Sequence, residues 1–243
     1  MKLDLFGGVP MKIRFISCSL TLAATLAATC ALAPANADMI AGSQANTSGQ
    51  VVNFNLTNSG SLDWFHYLQD STVTLNQKNV ATHDISIPAV ASTKGDSGAY
   101  GPTFTWSDGT PNVSGTDSGL VQAASSSGFT FNVTGNGTAE VLTVYLGTYG
   151  VNDPTDTYAL SGATGNPVTL SFTGAAGKYY SLTDTIDFTA AVNNPLTVTI
   201  KGVNTNLFLA GATLAPVPEP VSLALLGVGG AGLLLMRRRK ILT

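Results

Sequence analysis

Two short stretches concentrate the side chains with which this chain could do chemistry. The first reads Ser61-Leu62-Asp63-Trp64-Phe65-His66-Tyr67, and the second Phe104-Thr105-Trp106-Ser107-Asp108-Gly109-Thr110-Pro111. Between them they hold both tryptophans and one of the two histidines, with a carboxylate within two residues of each tryptophan. An aromatic face covers the apolar C–H surface of a sugar ring, while nearby carboxylates and amides bind its hydroxyls. Trp64, His66, Tyr67, Tyr100, Trp106 and Asp108 are therefore the candidate carbohydrate platform. The same residues have a plainer reading. A tryptophan on an alternating strand packs in a core, His66 reads more simply as a satisfied buried side chain than as a base, and Asp108-Gly109 reads as a turn.

Catalytic chemistry has little to work with. His66 and His83 are the chain's two imidazoles, residues 38–215 contain neither Cys nor Arg, and Glu140 is their one glutamate. No Gly-x-Ser-x-Gly or His-Glu-x-x-His run is present. No catalytic residue is assigned and the chain is expected not to be an enzyme. The alternative is a polysaccharide hydrolase or lyase, which would need two carboxylates in a cleft near the tryptophans. No cofactor is expected either. The candidate exception is Ca²⁺, because Asp153-Pro154-Thr155-Asp156 and Asp184-Thr185-Ile186-Asp187 are oxygen-rich. Neither has the full spacing of a calcium loop, and paired aspartates also form ordinary turns.

The elements that must position these residues are strands. Phe129, Phe131 and Val133 alternate with Thr130, Asn132 and Thr134, and Leu196, Val198 and Ile200 alternate with Thr197, Thr199 and Lys201. Such a period of two marks a half-buried strand. Val52-Phe54-Leu56, Leu142-Val144-Leu146 and Val168-Leu170-Phe172 read in the same way, with Gly/Asn/Asp/Pro clusters between them. Thr, Ser and Asn make up a third of residues 38–215, which favours strand over helix. The expected fold is all-β, a two-sheet antiparallel sandwich of jelly-roll type.

Composition separates this middle from the ends. Of the 243 residues 10% are charged, with a net charge of −3, but residues 38–215 carry 4 Lys against 11 Asp and one Glu, a net −8. That field repels nucleic acid, so no nucleic-acid partner is expected. A flat, regular Thr array of the kind that would bind ice is not visible, because the Thr positions are irregular.

At the N-terminus, Lys12 and Arg14 precede an apolar stretch from Phe15 to Leu32, and Ala35-Asn36-Ala37 precedes Asp38. This is the layout of a secretory signal peptide over residues 1–37, recognised by the Sec translocon and cut by signal peptidase between Ala37 and Asp38. Met11 has the better cationic start and is a candidate initiator. Cys18 and Cys30 both leave with this segment, so the core of residues 38–215 must be stable without a disulfide.

At the C-terminus, Val217-Pro218-Glu219-Pro220 is followed by 16 mostly apolar residues, Val221 to Met236, and then by Arg237-Arg238-Arg239-Lys240. The prolines keep Glu219 extended, as a protease cleft requires. As a helix, 221–236 would cover about 24 Å, somewhat short of the roughly 30 Å hydrocarbon core, with the basic tail 237–240 on the cytoplasmic side.

Pro-Glu-Pro, a short apolar span and an arginine cluster resemble the PEP-CTERM sorting signal of Gram-negative bacteria, here residues 216–243. The resemblance implies export, an inner-membrane anchor before processing, and cutting by an exosortase near Pro218, Glu219 and Pro220, with Arg237, Arg238 and Arg239 as the basic anchor. It further implies a cell-surface or extracellular-matrix destination beside exopolysaccharide, which becomes a candidate partner. The two stretches quoted first, together with Leu142-Thr143-Val144-Tyr145-Leu146-Gly147-Thr148-Tyr149, are similar to a β-sandwich module of secreted bacterial proteins. That similarity covers residues 60 to 214 and departs from the pattern at Tyr67 and Leu68. It implies fold rather than ligand.

Overall fold

The computed structural model describes residues 39–48, 52–69, 74–87, 95–97, 102–122, 128–149, 155–160, 167–192, 194–202 and 207–217, all within the unit Asp38–Thr243. Ala35, Ala37, Asp38, Tyr100, Asp153, the sorting residues Pro218, Glu219, Pro220, Arg237, Arg238 and Arg239, and the apolar span 221–236 lie outside the described residues. Among the described residues no helix is long and apolar enough to cross a membrane.

In chain order the elements are β1 (Met39–Ser48), β2 (Asn53–Asn55), α1 (Leu56–Ser59), β3 (Asp63–Tyr67), β4 (Leu75–Lys78), β5 (Gly95–Ser97), β6 (Thr103–Trp106), β7 (Gly109–Thr110), β8 (Gly115–Asp117), β9 (Gly119–Gln122), β10 (Phe129–Val133), β11 (Ala139–Tyr149), β12 (Thr155–Leu160), β13 (Val168–Ser171), β14 (Tyr179–Thr189), β15 (Leu196–Lys201) and β16 (Leu207–Pro216). The large sheet runs β1-β14-β11-β16-β3-β4-β7, with β9 paired to one end of β16 and β5 to β9. A four-stranded sheet runs β10-β15-β12-β13, and a small one β2-β6-β8. Every pairing is antiparallel except β2 with β6.

The large and four-stranded sheets form the expected sandwich. Phe129, Phe131 and Val133 of β10 and Leu196, Val198 and Ile200 of β15 meet Leu142, Val144 and Leu146 of β11 and Ile186 and Phe188 of β14 in one core. Their polar partners on the alternate positions are half-buried or exposed, as a sheet with one covered face requires. The small sheet adds a third layer on the opposite face of the large one. Leu56, Trp64, Phe104, Trp106, Leu120, Tyr145, Phe208 and Ala210 form a second core there.

Two covered faces explain why β3 is buried at every position, Asp63 to Tyr67. Phe65 and Tyr67 enter the first core, whereas Trp64 and His66 belong to the other face. On β16 the apolar run from Leu207 to Leu214 is likewise buried throughout. Leu207 and Leu209 face the first core, and so do Ala212 and Leu214, an odd-to-even switch. A bulge accounts for it: Tyr145 pairs with Gly211 but Leu146 pairs with Leu209, and the extra residue Ala210 inverts the alternation. One expectation fails locally. Val52-Phe54-Leu56 is not a continuous strand, because Asn55 accepts a hydrogen bond from the Asn58 amide and starts α1 at Leu56, as a short polar side chain at a helix N-cap does.

Candidate functional site

The aromatic residues singled out in the sequence converge, but they do not form a surface. Trp64 and Trp106 lie with ring centroids 6.2 Å apart, and His66 is 5.8 Å from Trp106. Trp64 and His66 are fully buried and Trp106 is 6% exposed. Tyr67 is buried on the opposite face, in edge contact with Phe65. The carbohydrate platform of Trp64, His66, Tyr67 and Trp106 is therefore corrected: the small sheet, to which Trp106 belongs, covers the face of β3 that carries Trp64 and His66, and Trp106 turns inward to meet them. Asp108 is a bracing residue. Its Oδ1 accepts from Thr57 Oγ1 (2.6 Å) and Trp64 Nε1 (3.1 Å), and its Oδ2 pairs with Lys78 Nζ (2.7 Å). Burial alone would raise the Asp108 carboxyl, but the bonds from Lys78, Thr57 and Trp64 hold it below the ordinary range.

An open groove of about 620 Å³ lies beside this buried cluster, lined by Leu68, Gln69, Trp106 and the segment Pro111–Asp117. Its wall is fixed by side chains that bond to main chain. The buried amide of Asn76 accepts from Asn112 N (2.9 Å) and donates to Asn112 O (3.2 Å), where Trp106 Nε1 also donates (2.9 Å). Gly115 lies flat on the Trp106 ring, so close that a Cβ there would sit 2.6 Å from Cζ2. At the end of the wall Asp117 Oδ2 accepts from Gln69 N (2.7 Å), Gly119 N (2.9 Å) and His66 Nε2 (3.0 Å). Burial raises the Asp117 carboxyl, yet the His66 bond and the two amides carry it below its usual value, so it stays ionised. His66 Nδ1 meets the carbonyl of the bulge residue Ala210 at 2.9 Å. Acceptors thus face both ring nitrogens. Gln69, Asn112, Ser114, Thr116 and Asp117 were not singled out from the sequence. The available signal was Asp117-Ser118-Gly119, an aspartate positioned to cap its own turn.

Among the described residues four other acids are buried. Asp63 accepts from Trp64 N, Asp84 N, Ile85 N and His83 Nδ1 at 2.8 to 3.1 Å, pinning residues 83–85 to β3. Glu140 is fully buried at the start of β11, with Oε1 bonded to Asn136 Nδ2 (2.5 Å) and Oε2 without a partner. Burial, and then the Asp84 charge, push its carboxyl up to about 7. Asp156 and Asp184, read in the sequence as turn residues, instead sit on β12 and β14 and face one another across the main core, both fully buried. Tyr158 Oη donates to Asp184 Oδ2 (2.6 Å), and Gln44 Nε2 reaches both carboxyls, at 2.8 Å and 3.3 Å. Burial raises both carboxyls, and their mutual repulsion raises Asp156 further, while Asp156 Oδ1 has no hydrogen-bond partner. Among the described residues no three His, Cys, Asp or Glu side chains converge to hold a metal.

Residues 216–240 match the family model of the PEP-CTERM protein-sorting motif. The chain therefore carries the C-terminal sorting signal of an exported, surface-associated protein processed by an exosortase. Comparison with curated proteins gives no match. Among solved structures the chain is similar to "Xyl-CBM35 in complex with glucuronic acid containing disaccharide", at 11% identity and a TM-score of 0.36, over 59% of this chain and 94% of that one. It is also similar to a family GH115 4-O-methyl-α-glucuronidase with specificity for decorated arabinogalactans, at 14% identity and a TM-score of 0.32, over 57% of this chain. That second match spans only 18% of the enzyme's length. Likenesses this distant say nothing of what this chain binds.

Proposed function

We propose that this exported chain, carrying a PEP-CTERM sorting motif, is a non-enzymatic surface or matrix protein whose sandwich binds polysaccharide in the groove between Gln69 and Pro111–Asp117. Before processing, the span 221–236 holds it in the inner membrane with the basic tail in the cytoplasm; afterwards the sandwich is free to join the surface or matrix.

The observation that carries this reading is the groove itself. It is open, about 620 Å³ in volume, and lined by Gln69, Asn112, Ser114 and Thr116, whose side chains carry hydroxyls and amides, beside the Asp117 carboxylate. Side chains of these types bind sugar hydroxyls, and a wall already fixed by Asn76 and Trp106 loses little freedom when it does so. Exposed Val113 adds an apolar contact at the rim. The absence of catalysis is proposed on related grounds. A two-carboxylate glycosidase mechanism needs a pair flanking the scissile bond, and among the described residues Asp117 is the one carboxylate lining the groove. The close pair Asp156 and Asp184 is sealed in the core.

The test is affinity electrophoresis of the mature protein in gels containing exopolysaccharide from its own host. Retarded migration is expected for the wild type, and normal migration for the Gln69→Ala/Thr116→Ala double variant, whose exposed substitutions spare the cores. Wild-type migration unaffected by the polysaccharide would overturn the proposal.

A further inference from the structure

The ionic make-up of the groove narrows the class of polysaccharide; this inference rests on the binding role proposed above. Asp117 is the one ionisable side chain among the described lining residues. Its Oδ2 is taken by three protein donors, and its side chain is 19% exposed. Among the described residues no Lys or Arg pairs with it, and its one ring partner, His66, meets it from behind, away from solvent. The imidazole of His66 is fully buried behind it and has both nitrogens engaged. Lys78 is committed to Asp108 and the Gly60 carbonyl. Beyond the groove, residues 38–215 carry no Arg and a net −8, so the surrounding potential draws in cations and turns away anions.

We infer that the groove takes a polysaccharide bearing free amino groups, a hexosamine polymer with at least part of its N-acetyl groups absent, whose ammonium pairs with Asp117 Oδ1. An ammonium offers three N–H donors to a carboxylate already fixed in place, a charge-assisted bond about twice as strong as a neutral one. The hydroxyls of the same sugar meet Gln69, Asn112 and Thr116. A uronic acid polymer would need a cationic side chain in the groove and finds a carboxylate instead. A fully N-acetylated polymer keeps the hydroxyl contacts and loses the ion pair.

Calorimetric titration of the mature protein with three oligosaccharides of equal length tests this: a glucosamine oligomer, its N-acetylated counterpart and a uronic acid oligomer. The glucosamine oligomer is expected to bind, about tenfold more tightly than the N-acetylated one, with affinity falling as salt is raised. The uronic acid oligomer is expected not to bind. Asp117→Asn should abolish the preference for the free amine, whereas Asp187→Asn, an exposed change on β14 away from the groove, should leave it intact. Equal binding of the two hexosamine oligomers would overturn the ionic inference and leave polysaccharide binding standing, and so would a preference for the uronic acid. Equal losses from Asp117→Asn and Asp187→Asn would also overturn it, by showing attraction to the acidic surface at large. Binding of none of the three, with host exopolysaccharide also failing to retard the protein, would overturn both readings. Because the decisive comparison varies the ligand, it holds even where Asp117→Asn destabilises the fold.

Discussion

Two carboxyl groups sealed in an apolar core are tolerable only while they hold a proton, and among the described residues no cation stands beside Asp156 and Asp184 to do the job instead. In the unfolded chain both ionise near the ordinary value of 3.8, while folding raises both. The folded state therefore binds more protons than the unfolded one, and stability falls as pH climbs above that ordinary value until the folded pair itself ionises. Asp156→Asn replaces the acid proton with an amide hydrogen that does not titrate. Thermal melts between pH 6 and pH 9 should show the wild type losing stability with pH and the variant losing less, so that the variant is the more stable at pH 9. Parallel curves would show that the pair is not protonated. Glu140 behaves in the same sense over a narrower window. Its carboxyl rises from 4.5 to about 7, so its contribution is lost between those values and is flat above them. At pH 8 Glu140→Gln should gain on the order of 2 kcal/mol, roughly 4–8 °C in Tm, and at pH 4 it should match the wild type. The inward position of Asp156 was open to view in the sequence, since Asp156, Tyr158 and Leu160 share one strand parity. What hid it was the proximity of Asp153 and Pro154, which made the aspartate read as part of a turn.

The strands were legible wherever one face is covered and one is wet. Period two marks β10 and β15 directly, because Thr130, Asn132 and Thr197 reach solvent or the sheet edge while their neighbours fill the core. It fails on β3, where the small sheet covers the second face, and a fully covered strand shows no polar alternation. For the same reason Trp64 looked available for a ligand: nothing in its local pattern says that β2, β6 and β8 will fold over it, nor that Trp106 on β6 will face inward toward it. Legibility also ends at the groove, whose wall is assembled from loops and main-chain contacts rather than from a periodic run. The close approach of β8 to β6 gives a prediction at this scale. Gly115→Ala would drive a methyl into the Trp106 indole, 2.6 Å from Cζ2, and the ring cannot retreat without breaking its bond to the Asn112 carbonyl. A stability loss of about 1–3 kcal/mol is expected, together with a red-shifted tryptophan emission as the second core loosens. Unchanged emission and Tm would mean that the small sheet is free to move away from the large one.

For the molecule as a whole, the strong feature is how little chain separates the sandwich from its sorting signal. β16 lies in the large sheet between β11 and β3 and stays paired to Pro216, and Val217 N still donates to the Ala139 carbonyl at 3.0 Å. The next residue is Pro218, the first of the Pro-Glu-Pro that the sorting motif contributes. A single residue, Val217, thus separates the last strand from the Pro-Glu-Pro of the sorting motif. Intact mass measurement on protein from the native host should give an N-terminus at Asp38 and loss of the apolar tail, with the tail retained in Glu219→Ala. The geometry adds a kinetic expectation. A six-residue Gly/Ser insert after Val217 supplies about 15 Å of reach without touching the cores, so the processed form should accumulate faster in a pulse-chase experiment. Destabilising the sandwich with Gly115→Ala should speed processing far less, because it loosens the second core without lengthening the chain between β16 and Pro218. If the insert leaves the rate unchanged, access to the Pro-Glu-Pro is not limited by the folded domain, and the end of β16 must fray for the enzyme at no measurable cost.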